Sequence, residues 1–436
     1  MTQGRTPPAP SGLPLVGHAA SFASDPFGFI ERSVESTGDA FRMRFPGRDV
    51  YVLAHPDHIE TSLTNREAFA KLDDFQVAFG DALLAVEGDQ WRRQRHAMEP
   101  FFSPTRIHEY AETMVDITAD RVHGWPPGET VRIDEEMKSL ALHNLFEVVL
   151  GQSLSEAEAD DLAETAYALN LWFEPATWAL PNWVPTPARR GFHRGEKELR
   201  DRARRILENS GGGDGEDSLL ARLAVLRDDP DSGFDETEVL DQVVGMIFAG
   251  HETTALAMTY ALHQLAAHPD VAARFHAELD EVVDGSPTLA ELQDMEYLDR
   301  IIHETLRLYP PVHAIPRVMR EPAEVGDYVV PEGSDVLLSV WNVHHDSRFY
   351  DDPWTFDPDR WADTTPRARG YAYVPFGAGP RICIGRHFAR LEMKAVLATV
   401  GQRYSLDVDD DAVEVDPQMT LQPAEPVLAR VERREE

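Results

Sequence analysis

The chain has 436 residues, an apolar fraction of 42% and a formal net charge of −35. That length suits one large domain or two or three smaller ones, and the apolar fraction is enough to bury a sizeable core. Its only lysines are Lys71, Lys138, Lys197 and Lys394, and so acidic a surface is a poor partner for nucleic acid or an anionic membrane. Repulsion among the carboxylates strains a compact fold in dilute buffer and is screened in concentrated salt, so the expected setting is a salt-rich cytoplasm.

Residues 1–24 read as a proline-rich extended lead-in that includes Pro7-Pro8-Ala9-Pro10. No signal-peptide pattern precedes it, and no apolar run approaches the ~20 residues that cross a bilayer, so a soluble cytoplasmic protein without a membrane anchor is expected. Asp25-Pro26 reads as a helix start. Phe41–Phe45 and Val50–Leu53 flank Pro46-Gly47 as a hairpin, and Pro56 opens a short helix. The stretch from Phe69 to Val86 is irregular and carries Phe75, Phe79, Leu83 and Leu84. Trp91 and Arg95 stand four apart and share a helix face, which by itself describes a basic helix surface.

From Pro104 to about Leu207 the pattern is of amphipathic helices, with an apolar cluster at Leu169, Leu171, Trp172 and Phe173. Residues 209–217 read as a flexible linker, too acidic for a phosphate loop. Asp235 and Glu238 form a capping box that opens a long run reaching about His268, apolar on most faces and therefore buried. Within it, Gly250 and the threonines of Glu252-Thr253-Thr254 loosen the helix, and a buried Glu252 is costly without a partner or a task. Glu304 and Arg307 are three apart on the next strongly periodic helix, which ends at Pro310-Pro311. There periodicity leaves Arg307 outside the apolar arc, as in a surface ion pair. Met419-Thr420-Leu421 reads as a hairpin tip.

Cys383 is the only cysteine, so it forms no internal disulfide and no paired zinc motif. Glycines and Pro380 before it favour a tight loop, and the run from His387 to Leu397 reads as a helix. The sulfur therefore stands near a helix N-terminus, where amides and the helix dipole favour thiolate, although a lone buried cysteine is often inert.

Four patterns occur in one order: W-x-x-x-R at Trp91 and Arg95, A-G-x-E-T-T from Ala249 to Thr254, E-x-x-R at Glu304 and Arg307, and F-x-x-G-x-R-x-C-x-G at Phe376, Gly379, Arg381, Cys383 and Gly385. Together they resemble the cytochrome P450 family over nearly the whole chain. The resemblance implies a single domain over 1–436, mainly α with small β-sheets, with haem b between a long central helix and the cysteine-loop helix. It implies Cys383 as axial thiolate to the iron, with Phe376, Gly377 and Gly385 around it. Trp91, Arg95, Arg381 and Arg317 would hold the haem propionates. Glu252 and Thr253 would relay protons through water to bound dioxygen. Phe75, Phe79, Trp172, Phe173, Phe248, Ala249, Ala314, Ile315 and Thr420 would line the substrate pocket. Glu304, Arg307 and Arg360 would be structural. The implied activity is insertion of one oxygen atom from O2 into a hydrophobic small molecule. Electrons would come from a separate donor, a ferredoxin with its reductase, docking near Arg93, Arg386, Arg390 and Lys394. A peroxide-using or isomerase-type enzyme, a non-catalytic haem-based sensor, and a helical protein without haem are the alternatives.

Overall fold

The computed structural model describes residues 5–174, 180, 183–209 and 218–434. Asn209 ends the helix Pro187–Asn209, and the rest of the linker expected over 209–217 lies outside the described residues. The extended lead-in is shorter than expected, because Ala19–Ser24 is already helical. Phe22 packs edge-on against Phe29 and Phe45 at ring distances of 6.4 and 5.5 Å, and burying that ring favours the helical turn over extension. Pro26–Thr37 then starts on Asp25, whose carboxylate accepts the Gly28 amide at 2.9 Å.

One five-stranded sheet collects distant parts of the chain. Its order is Ala40–Phe45, Arg48–Leu53, Asp335–Ser339, Ala314–Met319 and Phe69–Lys71. The first two strands are the expected hairpin, turning at Gly47 with φ +87°. In the last pair Lys71 stands opposite Arg317. The stretch read as irregular thus begins with an edge strand and continues as the short helix Asp74–Phe79; both pieces are too short for periodicity to reveal.

The 32-residue helix Glu236–Ala267 runs roughly 48 Å through the interior and packs against Ile133–Asn144 and Arg386–Arg403. Asp235 caps it by accepting the Glu238 amide at 2.7 Å. The reciprocal half of the capping box is missing, because the Glu238 carboxylate is taken by Arg93 at 2.7 and 2.8 Å and by Gln94 at 2.6 Å. The helix stays continuous through Gly250–Thr254, contrary to the expected loosening. A side chain at Gly250 would meet Leu145 at 3.0 Å, so the glycine permits close helix packing there.

Glu304 and Arg307, on Glu296–Leu308, are both 0% exposed and bonded at 2.7 and 2.9 Å. Arg360 and Trp361 also donate to Glu304, at 3.2 and 2.9 Å. Arg307 reaches the carbonyls of His344, Pro353 and Thr355 at 3.0, 2.6 and 3.1 Å. The surface pair suggested by helical periodicity is therefore a buried junction, because the segment 344–361 folds over that side of the helix. Removing one partner of such a pair strands the other in a medium that cannot solvate it. Glu304→Ala is expected to lower the unfolding free energy by about 3–5 kcal/mol in denaturant titration, and an unchanged midpoint would contradict the assignment.

Candidate active site

The loop before Arg386–Arg403 closes on itself, with the Cys383 amide donating to the Phe376 carbonyl at 3.0 Å. Gly377 and Gly379 take φ of +66° and +69°, and a Cβ on Gly379 would lie 2.8 Å from the Leu63 carbonyl. These two positions therefore need glycine. Cys383 is exposed to an internal cavity of about 370 Å3 while protein surrounds it on its other sides. That burial raises its thiol above the usual range, against the amides of Gly385 and Arg386 and the charges of Arg95 and Arg386. The helix N-terminus expected to favour thiolate is present, but in the protein alone desolvation outweighs it.

Trp91, Arg95, Phe376, Gly377, Arg381 and Gly385 line the same cavity as Cys383. Arg95 donates to the Ile382 carbonyl at 2.9 Å, and Arg381 donates to the Phe69 carbonyl at 3.0 Å and pairs with Glu87. Arg317 also faces the cavity. It is buried, donates only to the Pro316 carbonyl at 2.8 Å, and its Nε has no partner among the described residues. Burial and the nearby Arg381 lower its pKa to about 10.

Lys71 completes the group and was missed in the sequence. It lines the cavity, and burial lowers its pKa to about 7 despite Glu87. Its signal was available, since a lysine within the apolar run Phe69-Ala70-Lys71-Leu72 of a lysine-poor chain is anomalous.

A second cavity of about 250 Å3 shares Leu84, Ala249, Thr253, Val312 and Ile315 with the first. Phe75, Phe173, Phe248, Ala314 and Thr420 line it. Phe79 and Trp172 line neither cavity. Phe79 packs behind Phe248 at 5.1 Å, and Trp172 packs on Phe192 at 5.1 Å, as ordinary core.

The sequence model for the family described as Cytochrome P450 matches residues 7–430. The chain belongs to the cytochrome P450 family. It is 32% identical to cyclooctat-9-en-7-ol 5-monooxygenase of Streptomyces melanosporofaciens, over 91% of this chain and 89% of that one. It is 32% identical to pentalenene oxygenase of Streptomyces avermitilis, over 93% and 92%. Human cytochrome P450 3A5 is 26% identical over 98% and 91%. This protein is accordingly a haem-thiolate monooxygenase with haem b as cofactor. The residues present fit that group. Lys71, Arg95, Arg317 and Arg381 converge on the cysteine cavity, with Glu87 bonded among them and Glu99 3.9 Å from Arg95 Nε, and the orphaned Arg317 Nε needs an acceptor that two propionates would supply.

Glu252 and Thr253 diverge in this cytochrome P450. Thr253 lines both cavities, its hydroxyl donating to the Ala249 carbonyl at 3.0 Å. Glu252 points to the other side, where its Oε1 accepts from Asn170 at 2.6 Å and Gln422 at 3.0 Å. Asn170 and Gln422 lie on elements far apart in sequence, so no local pattern marks them. The docking cations named from the sequence also divide. Arg93 pairs with Glu238, and Arg390 and the buried Lys394 share Asp299, whereas Arg386 is half-buried and its guanidinium donates to the Cys383 carbonyl at 3.4 Å. No described helix is long and apolar enough to cross a membrane.

Burial raises the Glu252 pKa from 4.5 to about 7, opposed by Lys138 and the hydrogen bonds of Asn170, Gln422 and Thr420. The folded state then holds a proton that the unfolded chain has released, so this group makes stability fall as pH rises from about 4.5 to about 7. Relative to Glu252→Gln, the native protein is expected to lose stability across that window and level off above it. Chemical unfolding at a series of pH values reads this, and a pH-independent difference would refute it.

Proposed function

We propose that this monooxygenase oxidises a cyclic, largely hydrocarbon molecule, a terpenoid rather than a fatty acid or steroid. The observation that carries this reading is the lone Cys383 at one wall of an apolar, cation-edged cavity that continues into a second apolar one. The names of the two Streptomyces relatives, one for cyclooctat-9-en-7-ol and one for pentalenene, support a ring system as substrate. The chain is read as one domain over 1–436.

Bound haem would supply dioxygen binding and one-electron chemistry. Cys383 would ligate it, and Lys71, Arg95, Arg317 and Arg381 would neutralise its carboxylates, Trp91 beside them. Ala249, Phe248 and Ile315 exclude water from the reacting carbon. Glu252 holds a proton near neutral pH, and Thr253 presents a hydroxyl to the cavity. Proton delivery from one to the other requires the Glu252 carboxyl to leave Asn170 and Gln422 or to work through water. The displaced carboxyl is also what a peroxide-using enzyme would tolerate, and dependence of turnover on an electron donor separates the two. Electrons would come from separate proteins, a ferredoxin and its reductase, docking at the face of Arg386 and Arg390.

Purified protein reduced with dithionite under carbon monoxide is expected to show a strongly red-shifted Soret band that Cys383→Ser lacks. Titration with a cyclic terpene hydrocarbon is expected to shift the oxidised spectrum at lower concentration than a fatty acid of equal carbon count. A band unchanged in the variant overturns the ligand assignment, and the reverse ranking overturns the substrate class. We also propose that the chain is salt-adapted, which the charge of −35 and the scarcity of lysine support. Its unfolding midpoint should rise across a potassium chloride series, and full stability in dilute buffer would count against this.

A further inference from the structure

Segment 80–87 forms one wall of the site. Its Ala82, Leu83 and Leu84 line the cysteine cavity, and Leu84 reaches the second cavity too. It packs tightly against the long helix at two points. A Cβ on Gly80, where φ is +54°, would clash with the Asp241 carboxylate, and one on Gly245 would meet the side chains of Ala82 at 2.9 Å and Leu84 at 3.0 Å.

The segment is pinned at both ends. At one end the Asp81 amide donates to Asp241 Oδ2 at 2.6 Å and the Leu83 amide donates to Gln242 Oε1 at 2.9 Å. Gln242 Nε2 returns a bond to the Asp81 carbonyl at 2.9 Å, and Gln94 Nε2 donates to that carbonyl at 2.7 Å. At the other end Lys71 Nζ donates to the carbonyls of Leu83 and Val86 at 2.6 and 3.0 Å. Glu87 accepts the Lys71 amide at 2.7 Å and pairs with Arg381. Asp241 and Gln242 are 2% and 1% exposed, a costly location for polar side chains unless their bonds serve something. Both ends of the Gln242 amide go to the segment. The remaining Asp241 oxygen, Oδ1, pairs with Arg200, which belongs to the helix Pro187–Asn209.

We propose that Asp241 and Gln242 are positioning residues that latch segment 80–87 over the substrate cavity, and that Arg200 ties this latch to the helix Pro187–Asn209. The latch sets how long an apolar molecule stays bound. Releasing it frees Asp81 and Ala82 to move off the cavity, while the carbonyls of Leu83 and Val86 remain held by Lys71. This rests on the proposed reading that the cavity is the substrate site. The mechanism is a matter of dissociation, because a hydrogen-bonded wall must open before the molecule leaves.

The test uses the full-length haem-loaded protein and 4-phenylimidazole, an apolar azole whose nitrogen binds haem iron and whose departure is read from the Soret band. In Gln242→Met both side-chain bonds to the segment are lost from a side chain of similar length. In Arg200→Met the tie between the two helices is cut from a partly exposed position. Azole dissociation is expected to quicken about tenfold in each, the change equivalent to one ordinary hydrogen bond. Hydrogen exchange at the Asp81 and Leu83 amides, measured without azole, should quicken by a similar factor, while exchange at Met258 in the long helix stays as in the native protein. Arg200→Lys should restore both rates. Dissociation and exchange within about twofold of native in both variants overturns the latch. Should Gln242→Met fail to fold, Arg200→Met decides alone. A native protein that shows no azole shift counts against the haem-thiolate reading, and the exchange measurement still decides the latch.

Discussion

Lys71 and Arg317 face each other across two paired strands inside the protein, with Arg95 and Arg381 lining the same cavity. Like charges opposite one another on a sheet repel, and burial strengthens the repulsion by lowering the local dielectric. Glu87 answers part of it through Arg381 and the Lys71 backbone. The remainder is visible in the depressed pKa of Lys71 and Arg317, whose causes are burial first and neighbouring cations after. Such a cluster is chemically suited to an anionic partner. The edge strand, the cysteine loop and the segment 80–87 all meet at this point.

Two buried glutamates show how partners decide a role. Glu304 is surrounded by Arg307, Arg360 and the Trp361 N–H, so its charge is fully answered and it locks three segments together. Glu252 is equally enclosed, but its bonded partners are the neutral amides of Asn170 and Gln422. Amides donate hydrogen bonds without returning charge, so desolvation prevails and the carboxyl keeps a proton near neutral pH. The first arrangement is rigid. The second holds a proton on a carboxyl bonded to Asn170 and Gln422, while the Thr253 hydroxyl donates to the Ala249 carbonyl.

Gln242 and Lys71 illustrate a further economy of the fold. Both line the cavity, yet both direct their polar atoms to the backbone of segment 80–87. The cavity surface is thereby left apolar by residues that are themselves polar, which suits a hydrocarbon guest. Gly80 and Gly245 leave room for the side chains of the other element, Asp241 against the segment and Ala82 and Leu84 against the helix.

The sequence by itself determined the family, the glycine-rich loop around the lone cysteine, the long buried helix and the order of the four patterns. Each of these is a local pattern of residue types, legible because glycine turns, helical periodicity and a lone cysteine constrain the backbone within a few residues. Tertiary structure decided what depends on distant segments meeting. It buried Arg307, which periodicity left outside, because 344–361 covers that face. It placed Phe79 and Trp172 in the core, turned Glu252 towards Asn170 and Gln422, and brought Lys71 opposite Arg317. A strand of three residues carries too little pattern to reveal its partner, and a hydrogen bond between residues 82 or 170 positions apart leaves no trace in either neighbourhood. Such contacts are chosen by the packing of the whole chain, where each buried polar atom needs a partner wherever the fold brings one.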